Sequence, residues 1–324
     1  MQIVLDTYGL QLSVRNKCFL IEVGDDSRLI HPSKVSSILV TMPCRLSSPA
    51  LVLAAQSEIP VIICDYSGTP EARIWSPHFI NISSLRRNQY AYTKSENALR
   101  YAFNLITAKI DGQLNNLGYI ADRRPAMAGE IAQVIAQIKN QFSHYDKKKN
   151  KKILKKDIVF VEAFAAKCYW SVVGQRLPEP FMFSLRTKRP AKDVFNNCLN
   201  YFYGMLKNQV ETAVLSIGLD PALGIIHRDG YKLPSLVFDL MEPFRPIIDR
   251  MLLTAVIENK IDGKITETKD DEMRLSKIGR KKLIELFNEK LESRISFGGN
   301  VSSLKNHILS AAKLLSDEIK QYGN

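Results

Sequence analysis

The first part of the chain alternates between short apolar runs and turn-forming residues. Strand-like runs of β-branched and apolar residues occupy 2–5, 11–14, 18–23 and 35–40. One short helix is predicted, with Ser48 as its N-cap and Pro49 at its first position. Two further strands follow at 60–65 and 72–75. The pattern therefore predicts a small β-rich domain over residues 1–76.

The hydrophobic period changes after residue 83. Apolar residues such as Leu85, Leu99 and Phe103 then recur at spacings typical of helices. The same period predicts helices at about 126–144, 157–174, 191–216, 243–259, 275–293 and 300–321, with a small turn or hairpin at 263–266. We therefore predict an α+β protein with a β-rich domain at 1–76, a linker at 77–84 and an all-α catalytic domain at 85–324.

Length and composition agree with a two-domain globular protein. At 324 residues the chain exceeds the size at which a single core usually stops growing. Its five cysteines are irregularly spaced, which is typical of reduced thiols. The first residues do not have the positive start and apolar run typical of a signal peptide, and the sequence shows no stretch of about twenty uncharged apolar residues. We therefore expect a cytoplasmic protein without a membrane partner.

The charge of the chain favours a polyanionic partner. Lysine and arginine number 45 against 33 acidic residues, which gives a net charge of +12 and a pI near 9.4. Nucleic acid is favoured over membrane, although a soluble basic protein without such a partner is an equal alternative. The segment 146–156 carries seven lysines and is interpreted as a solvated connector or, alternatively, a phosphate contact.

One segment concentrates candidate chemistry. His227 lies in a loop bounded by Gly224 and Gly230, and Asp239 and Glu242 follow it by twelve and fifteen residues in apolar surroundings. Buried charges need partners, and a mixture of carboxylate and imidazole groups suits magnesium, manganese or zinc. The segment therefore predicts a divalent metal site that needs at least one further ligand.

The further ligand is predicted to be Glu162, a carboxylate in an otherwise apolar helix whose neighbouring positions include Ala165 and Ala166. Small neighbours leave room for a metal or a phosphate. Alternatives stay open at this point: Glu162 could pair with an arginine, and Glu242 could cap a helix.

Basic and aromatic residues surround these positions. We predict DNA contacts by five of them, because cations suit phosphates and rings suit unstacked bases: Arg186, Arg189, Tyr201, Tyr203 and Arg245. For the tyrosines core packing is the alternative, and for Arg245 it is a structural ion pair with Asp239 or Asp249.

Four stretches together resemble the CRISPR-associated integrase of the adaptation module. They are the Glu162 helix EAFAAKCYW, the run RPAKDVFNNCLNYFYGML, the segment GLDPALGIIH that ends at His227, and DLMEPFRP, which contains Asp239 and Glu242. The stretches follow one another in order, and the likeness extends over nearly the whole chain. It is therefore more specific than a single motif.

The resemblance implies a fold, a site and partners. It implies a strand-rich N-terminal domain used for dimerisation, with Glu162, His227 and Glu242 as ligands of Mg²⁺ or Mn²⁺ and Asp239 in support. It implies catalytic insertion of short foreign DNA fragments into a CRISPR array, in which each 3′-hydroxyl attacks a phosphodiester at a repeat. The partners it implies are double-stranded DNA with 3′ ends, CRISPR repeat DNA, a second copy of the chain, and the small ferredoxin-fold second adaptation protein.

Two other functions are weighed against this one. A tyrosine recombinase requires an arginine-rich site around a nucleophilic tyrosine, and no such set follows His227 and Arg228. A non-catalytic DNA-binding scaffold would pair its carboxylates with arginines and bind no metal. Strand-transfer activity of the wild type and of Glu162→Ala distinguishes these functions.

Overall fold

The computed structural model describes most of the chain. The described residues are 1–35, 37–64, 70–74, 83–146, 154–188, 190–227, 230, 233–269 and 272–323. Residues 77–82 of the predicted linker, 147–153 of the lysine-rich segment, and Arg189 lie outside them. The contacts divide the chain into two units, 1–83 and 84–324.

The N-terminal unit consists of two four-stranded sheets and one helix in its described part. The first sheet has the order β1-β5-β7-β8, with β8 as its antiparallel edge strand, and the second has the order β4-β3-β2-β6. The strands are β1 (Gln2–Leu5), β2 (Gln11–Arg15), β3 (Cys18–Val23), β4 (Asp26–Ile30), β5 (Ser37–Val40), β6 (Arg45–Leu46), β7 (Val61–Cys64) and β8 (Pro70–Ile74).

Alternation along these strands places one side of each in a common core. Leu5, Leu12 and Phe19 are completely or almost completely buried, and helix α1 (Ser48–Gln56) contributes Ala50 and Ala54 to the same core. The helix is capped by Ser47, whose side chain accepts a hydrogen bond from the Ala50 amide. It thus begins one residue before the predicted start.

The second unit is mostly helical. It contains α2 (Ser83–Tyr92), α3 (Glu96–Arg123), α4 (Ala128–Asp146), α5 (Lys155–Gln175), α6 (Val194–Ile217), α7 (Ser235–Met241), α8 (Arg245–Ile257), α9 (Lys277–Glu292) and α10 (Leu304–Tyr322). The predicted class, a β-rich N-terminal part followed by a larger helical part, is confirmed.

The helical unit also contains strands, which the prediction of an all-α domain did not include. Two antiparallel hairpins are formed by β9 (Thr266–Lys269) with β10 (Glu272–Leu275), and by β11 (Arg294–Phe297) with β12 (Asn300–Ser303). At the turn or hairpin predicted at 263–266, a 3-10 turn, Gly263–Ile265, leads directly into the first of these hairpins. The second occupies the gap between α9 and α10, where Gly298 and Gly299 adopt positive φ.

Helix α6 lies at the centre of the helical core. Asp193 caps its N-terminus by accepting from the Asn196 amide, and Gly218 ends it in the left-handed conformation. Phe195, Leu199 and Phe202 are fully buried along its length. Within the described residues, no helix is both long enough and apolar enough to cross a lipid bilayer.

Candidate functional site

Asp239 organises the loop that carries His227. The Asp239 carboxylate, on α7, is completely buried and accepts hydrogen bonds from the backbone amides of Ile225, Ile226 and His227. Its Oδ1 atom also lies 2.7 Å from His227 Nδ1. Gly224 lets the loop approach α7, because a Cβ there would lie 2.6 Å from the Ser235 Cβ. One carboxylate thus fixes the loop and the imidazole together.

The contact with Asp239 determines what His227 can do. A carboxylate next to Nδ1 favours the tautomer in which Nδ1 carries the proton, so the lone pair lies on Nε2. Nε2 is 4.0 Å from Glu242 Oε1, and the His227 side chain is partly exposed. This arrangement presents a nitrogen ligand beside a carboxylate.

Glu242 is a buried, ionised carboxylate. It begins a 3-10 turn, Glu242–Phe244, between α7 and α8. Arg245 Nε lies 3.1 Å from Oε1, and Lys109 Nζ lies 2.6 Å from Oε2. Burial alone would raise the pKa of Glu242, but Arg245, Lys109 and His227 outweigh it and lower that pKa to about 2. The side chain is therefore charged at neutral pH.

Glu162 reaches the same place from helix α5. It forms an ion pair and hydrogen bond with Lys109, whose ammonium group thus contacts both glutamates. Burial would lower the pKa of Lys109, but Glu242 and Glu162 raise it above its ordinary value. The structure therefore brings Glu162, His227 and Glu242 together, and it adds a cation that the sequence analysis did not consider.

Close packing of α3 places Lys109 in the site. A Cβ at Gly112 would lie 2.7 Å from Pro246 Cβ, so only glycine allows α3 to approach the start of α8 this closely. Asn116 Nδ2 donates to the Pro246 carbonyl at 2.8 Å and ties the two helices together. Lys109, Gln113 and Asn116 form a buried polar stripe along α3.

A cavity of about 840 Å³ opens onto these groups. Glu162, His227 and Glu242 all line it, together with Ile106, Lys155, Lys156, Val159, Phe160, Ala163 and Ile226. Lys155 and Lys156 are exposed, and they begin the helix that carries Glu162. The cavity thus combines a carboxylate and imidazole wall with cations that suit an anionic ligand.

The donor set suits a divalent metal, although the side chains are not yet arranged around one. Two carboxylates and an imidazole nitrogen are ligands that Mg²⁺ and Mn²⁺ accept. The buried Glu242 Oε2 has Lys109 Nζ as its close partner at 2.6 Å, and a carboxylate oxygen carries a second lone pair that can bind a ligand. In the described part of the chain no three such side chains are already grouped to hold a metal, and Lys109 lies between the two glutamates.

Four of the five predicted DNA contacts lie in the described part of the chain, and each has contacts within the protein. Tyr201 is buried in the hydrophobic core, which favours the core-packing alternative. Tyr203 donates a hydrogen bond to Asp249 at 2.7 Å. Arg186 donates to the side-chain oxygens of Asn196 and Asn200 at 2.8 and 2.6 Å. The donors of Arg186 are therefore used inside the protein.

Arg245 forms an ion pair, but with a different acid from those named in the sequence-based alternative. Its guanidinium pairs with Glu242, and it lies 4.8 Å above the centre of the Tyr203 ring. The partner is therefore neither Asp239 nor Asp249 but the candidate metal ligand itself. Arg189, the remaining predicted DNA contact, lies outside the described residues.

Asp249 is a third buried acid of this region, beside Asp239 and Glu242. Burial raises its pKa to about 7, although Tyr203, Arg186, Lys109 and Arg245 act in the opposite direction. Sequence reasoning considered Asp249 only as an arginine partner and did not consider Lys109. The signal for Lys109 was its position on α3, where Lys109, Gln113 and Asn116 share one helical face beside the apolar stripe.

Solved structures share the fold over nearly the whole chain. A casposase bound to integration product superposes with a TM-score of 0.82 at 22% identity, covering 99% of this chain and 90% of the casposase. A CAS1 protein from Thermotoga maritima superposes with a TM-score of 0.79 at 19% identity, covering 98% and 97%. At these identities the likeness concerns the fold.

Sequence comparison is more specific. The CRISPR-associated endonuclease Cas1 1 of Archaeoglobus fulgidus is 27% identical over 97% of this chain and 94% of its own length. The CRISPR-associated endonuclease Cas1 2 of Saccharolobus solfataricus is 30% identical over 99% and 96%. The family model described as CRISPR associated protein Cas1 matches residues 3–289. The resemblance found in the sequence is thus confirmed, and the chain belongs to the Cas1 family.

Proposed function

We propose that this protein is the metal-dependent DNA integrase of CRISPR adaptation, which joins short foreign DNA fragments to a CRISPR repeat. The observation that carries the proposal is the convergence of Glu162, His227 and Glu242 on one cavity that also contains Lys155 and Lys156. Relatives along the whole chain are named endonucleases, which supports an enzyme acting on DNA.

The chain's own residues hold and orient the reacting groups. Glu162, His227 and Glu242 would hold Mg²⁺ or Mn²⁺, which when bound supplies positive charge to a phosphate oxygen. Asp239 keeps His227 in one orientation and one tautomer. Arg245 stabilises the ionised form of Glu242. The exposed Lys155 and Lys156 attract the phosphate backbone towards the cavity.

The reaction exchanges one phosphodiester for another. The 3′-hydroxyl oxygen of the fragment forms a bond to the target phosphorus, and the bond from that phosphorus to the target 3′-oxygen breaks. The attacking hydroxyl loses a proton and the leaving oxygen gains one. No external energy source is needed, because one phosphodiester bond replaces another. With water in place of the sugar hydroxyl, the same site would hydrolyse DNA, and nuclease activity is expected for that reason.

The geometry favours this function over a tyrosine recombinase. A recombinase needs a phenol that can reach DNA, whereas Tyr203 donates to Asp249 and Tyr201 is buried. No tyrosine lines the described cavity wall. We therefore expect strand transfer without a covalent intermediate between protein and DNA.

The test is strand transfer from a 3′-hydroxyl fragment to a supercoiled target in Mg²⁺ or Mn²⁺, with the second adaptation protein present. Glu162→Ala is expected to lower the rate at least about a hundredfold, as is typical for loss of a group that supports transition-state charge. Glu285→Ala, an exposed acid on α9, is the matched control. Equal activity of Glu162→Ala and wild type overturns the metal assignment. DNA binding by the wild type without transfer favours the scaffold function.

The assembly is part of the same proposal. We expect a homodimer that binds the small ferredoxin-fold second adaptation protein, together with double-stranded DNA. In support, the chain shares its fold with part of a solved Cas6-RT-Cas1--Cas2 complex, with a TM-score of 0.80 at 21% identity over 99% of this chain and 35% of that one. Light scattering of the protein alone and with its partner tests both contacts.

A further inference from the structure

Lys109 occupies a position that the proposed reaction does not explain. Its ammonium group contacts Glu162 Oε1 and lies 2.6 Å from Glu242 Oε2, the carboxylates that would hold the metal. The side chain is only 8% exposed. A lysine is seldom buried this deeply unless it is paired, and here it is paired with both proposed ligands at once.

The charges around the ammonium group balance. Glu162 and Glu242 are matched by Lys109 and Arg245, so these four side chains have no net charge. Two carboxylates held close together without a cation between them would repel each other, and the buried Glu242 has little hydration to offset that repulsion. Lys109 removes that repulsion without any metal.

We propose that Lys109 is the internal counter-cation of the metal site: it holds Glu162 and Glu242 together in the metal-free protein and competes with the divalent ion for their oxygens. This inference rests on the metal site of the proposed function. It makes Lys109 a positioning residue, because it acts through the two glutamates.

The inference has a consequence that a purely structural ion pair would not have. If Lys109 only maintained the shape of the site, its removal would disorganise the glutamates and weaken metal binding. If Lys109 competes with the metal, its removal strengthens metal binding, because repulsion between two cations a few ångströms apart is lost. Glu162 then loses its Lys109 partner, and Glu242 keeps only Arg245. The sign of the change in affinity distinguishes the two roles.

The experiment measures Mn²⁺ binding to the DNA-free protein by calorimetry and by the paramagnetic resonance of free Mn²⁺. We expect Lys109→Met to bind Mn²⁺ about tenfold more tightly than wild type, or better, since like charges at such distances interact strongly even at a protein-like dielectric. Lys109→Arg keeps the charge and should stay near wild type. Lys167→Met removes an exposed charge from α5, the helix of Glu162, and is the matched control.

Thermal unfolding gives a second measurement. Lys109→Met should melt at a lower temperature than wild type in EDTA, and Mn²⁺ should raise its melting temperature more than that of wild type. Should Lys109→Met not fold, Lys109→Gln retains an N–H donor for the glutamates without the charge and serves the same test.

The outcomes separate this inference from the proposed function. Unchanged or weaker Mn²⁺ binding by the charge-removing variants overturns the role of Lys109 and leaves the metal site standing. Mn²⁺ binding by wild type that Glu162→Ala does not weaken overturns the metal site itself, and the competition with it.

Discussion

Two buried acids lie on either side of Arg245 and behave differently. Glu242 is in direct contact with Lys109 and Arg245, and its pKa is lowered to about 2. Asp249 accepts a hydrogen bond from the Tyr203 hydroxyl, and burial raises its pKa to about 7. Both carboxylates are almost fully buried. Direct contact with cations, rather than burial, therefore decides which acid stays ionised.

The difference also separates two tasks. Glu242 lines the cavity and its carboxylate stays ionised, as a metal ligand must. The region of Asp249, with Tyr203 and Arg186, uses its polar groups on one another. From the sequence, Arg186 and Tyr203 were predicted to contact DNA. In the structure both form hydrogen bonds within the protein, and the Tyr203 ring packs against Arg245, the partner of Glu242.

The substitution Glu242→Gln should have the most severe effect on this pair of acids. This change leaves Lys109 and Arg245 without one of their carboxylate partners in a buried place, which we expect to cost about 3–5 kcal/mol of unfolding free energy. Strand transfer should fall at least about a hundredfold. Urea unfolding at neutral pH and the transfer assay check the two effects, and a stable variant with normal activity contradicts the account.

Asp249→Asn tests the other acid through pH. An acid with a raised folded-state pKa contributes stability that is fully present below its ordinary pKa of 3.8 and is lost as pH rises through about 7. Between about pH 4 and pH 7 the wild type should therefore lose a few kcal/mol of unfolding free energy that Asp249→Asn does not lose. Urea unfolding across this pH range measures the difference. A difference that stays constant shows that Asp249 is ionised throughout.

The smallest expected effect belongs to Arg186→Lys. Lysine cannot reproduce the planar contacts with Asn196 and Asn200, so we expect a loss of about 1–2 kcal/mol of stability. Affinity for DNA should change less than about twofold, because the guanidinium donors face the protein interior. Fluorescence anisotropy at several salt concentrations measures it. A tenfold loss of DNA affinity identifies Arg186 as a phosphate contact instead, because lysine lacks the planar, two-pronged contact of a guanidinium.

Local patterns predicted much of the fold. The strands at 2–5 and 18–23 and the long helices were recognisable because apolar spacing and capping residues agree there. Strand β4 (Asp26–Ile30) was missed because four of its five residues are exposed, so it has no alternating apolar pattern. Helix α7 (Ser235–Met241) was missed because it has only seven residues and is buried almost throughout.

The candidate site was predictable only in part. Glu162, His227 and Glu242 stood out because charged or imidazole groups in apolar surroundings need a partner. Lys109 did not, because a lysine in an amphipathic helix is normally exposed, and its burial depends on the contact between Gly112 and Pro246. Likewise the internal hydrogen bonds of Arg186 and Tyr203 could not be predicted, because sequence spacing does not indicate which way a side chain points.

Asp239 has a consequence for how this site can change over time. One carboxylate satisfies three successive main-chain amides and sets the orientation of the imidazole. A substitution there would alter the backbone path and the histidine at the same moment, so no single replacement could adjust one and spare the other. The position of the His227 imidazole and the backbone path of its loop therefore depend on the same carboxylate.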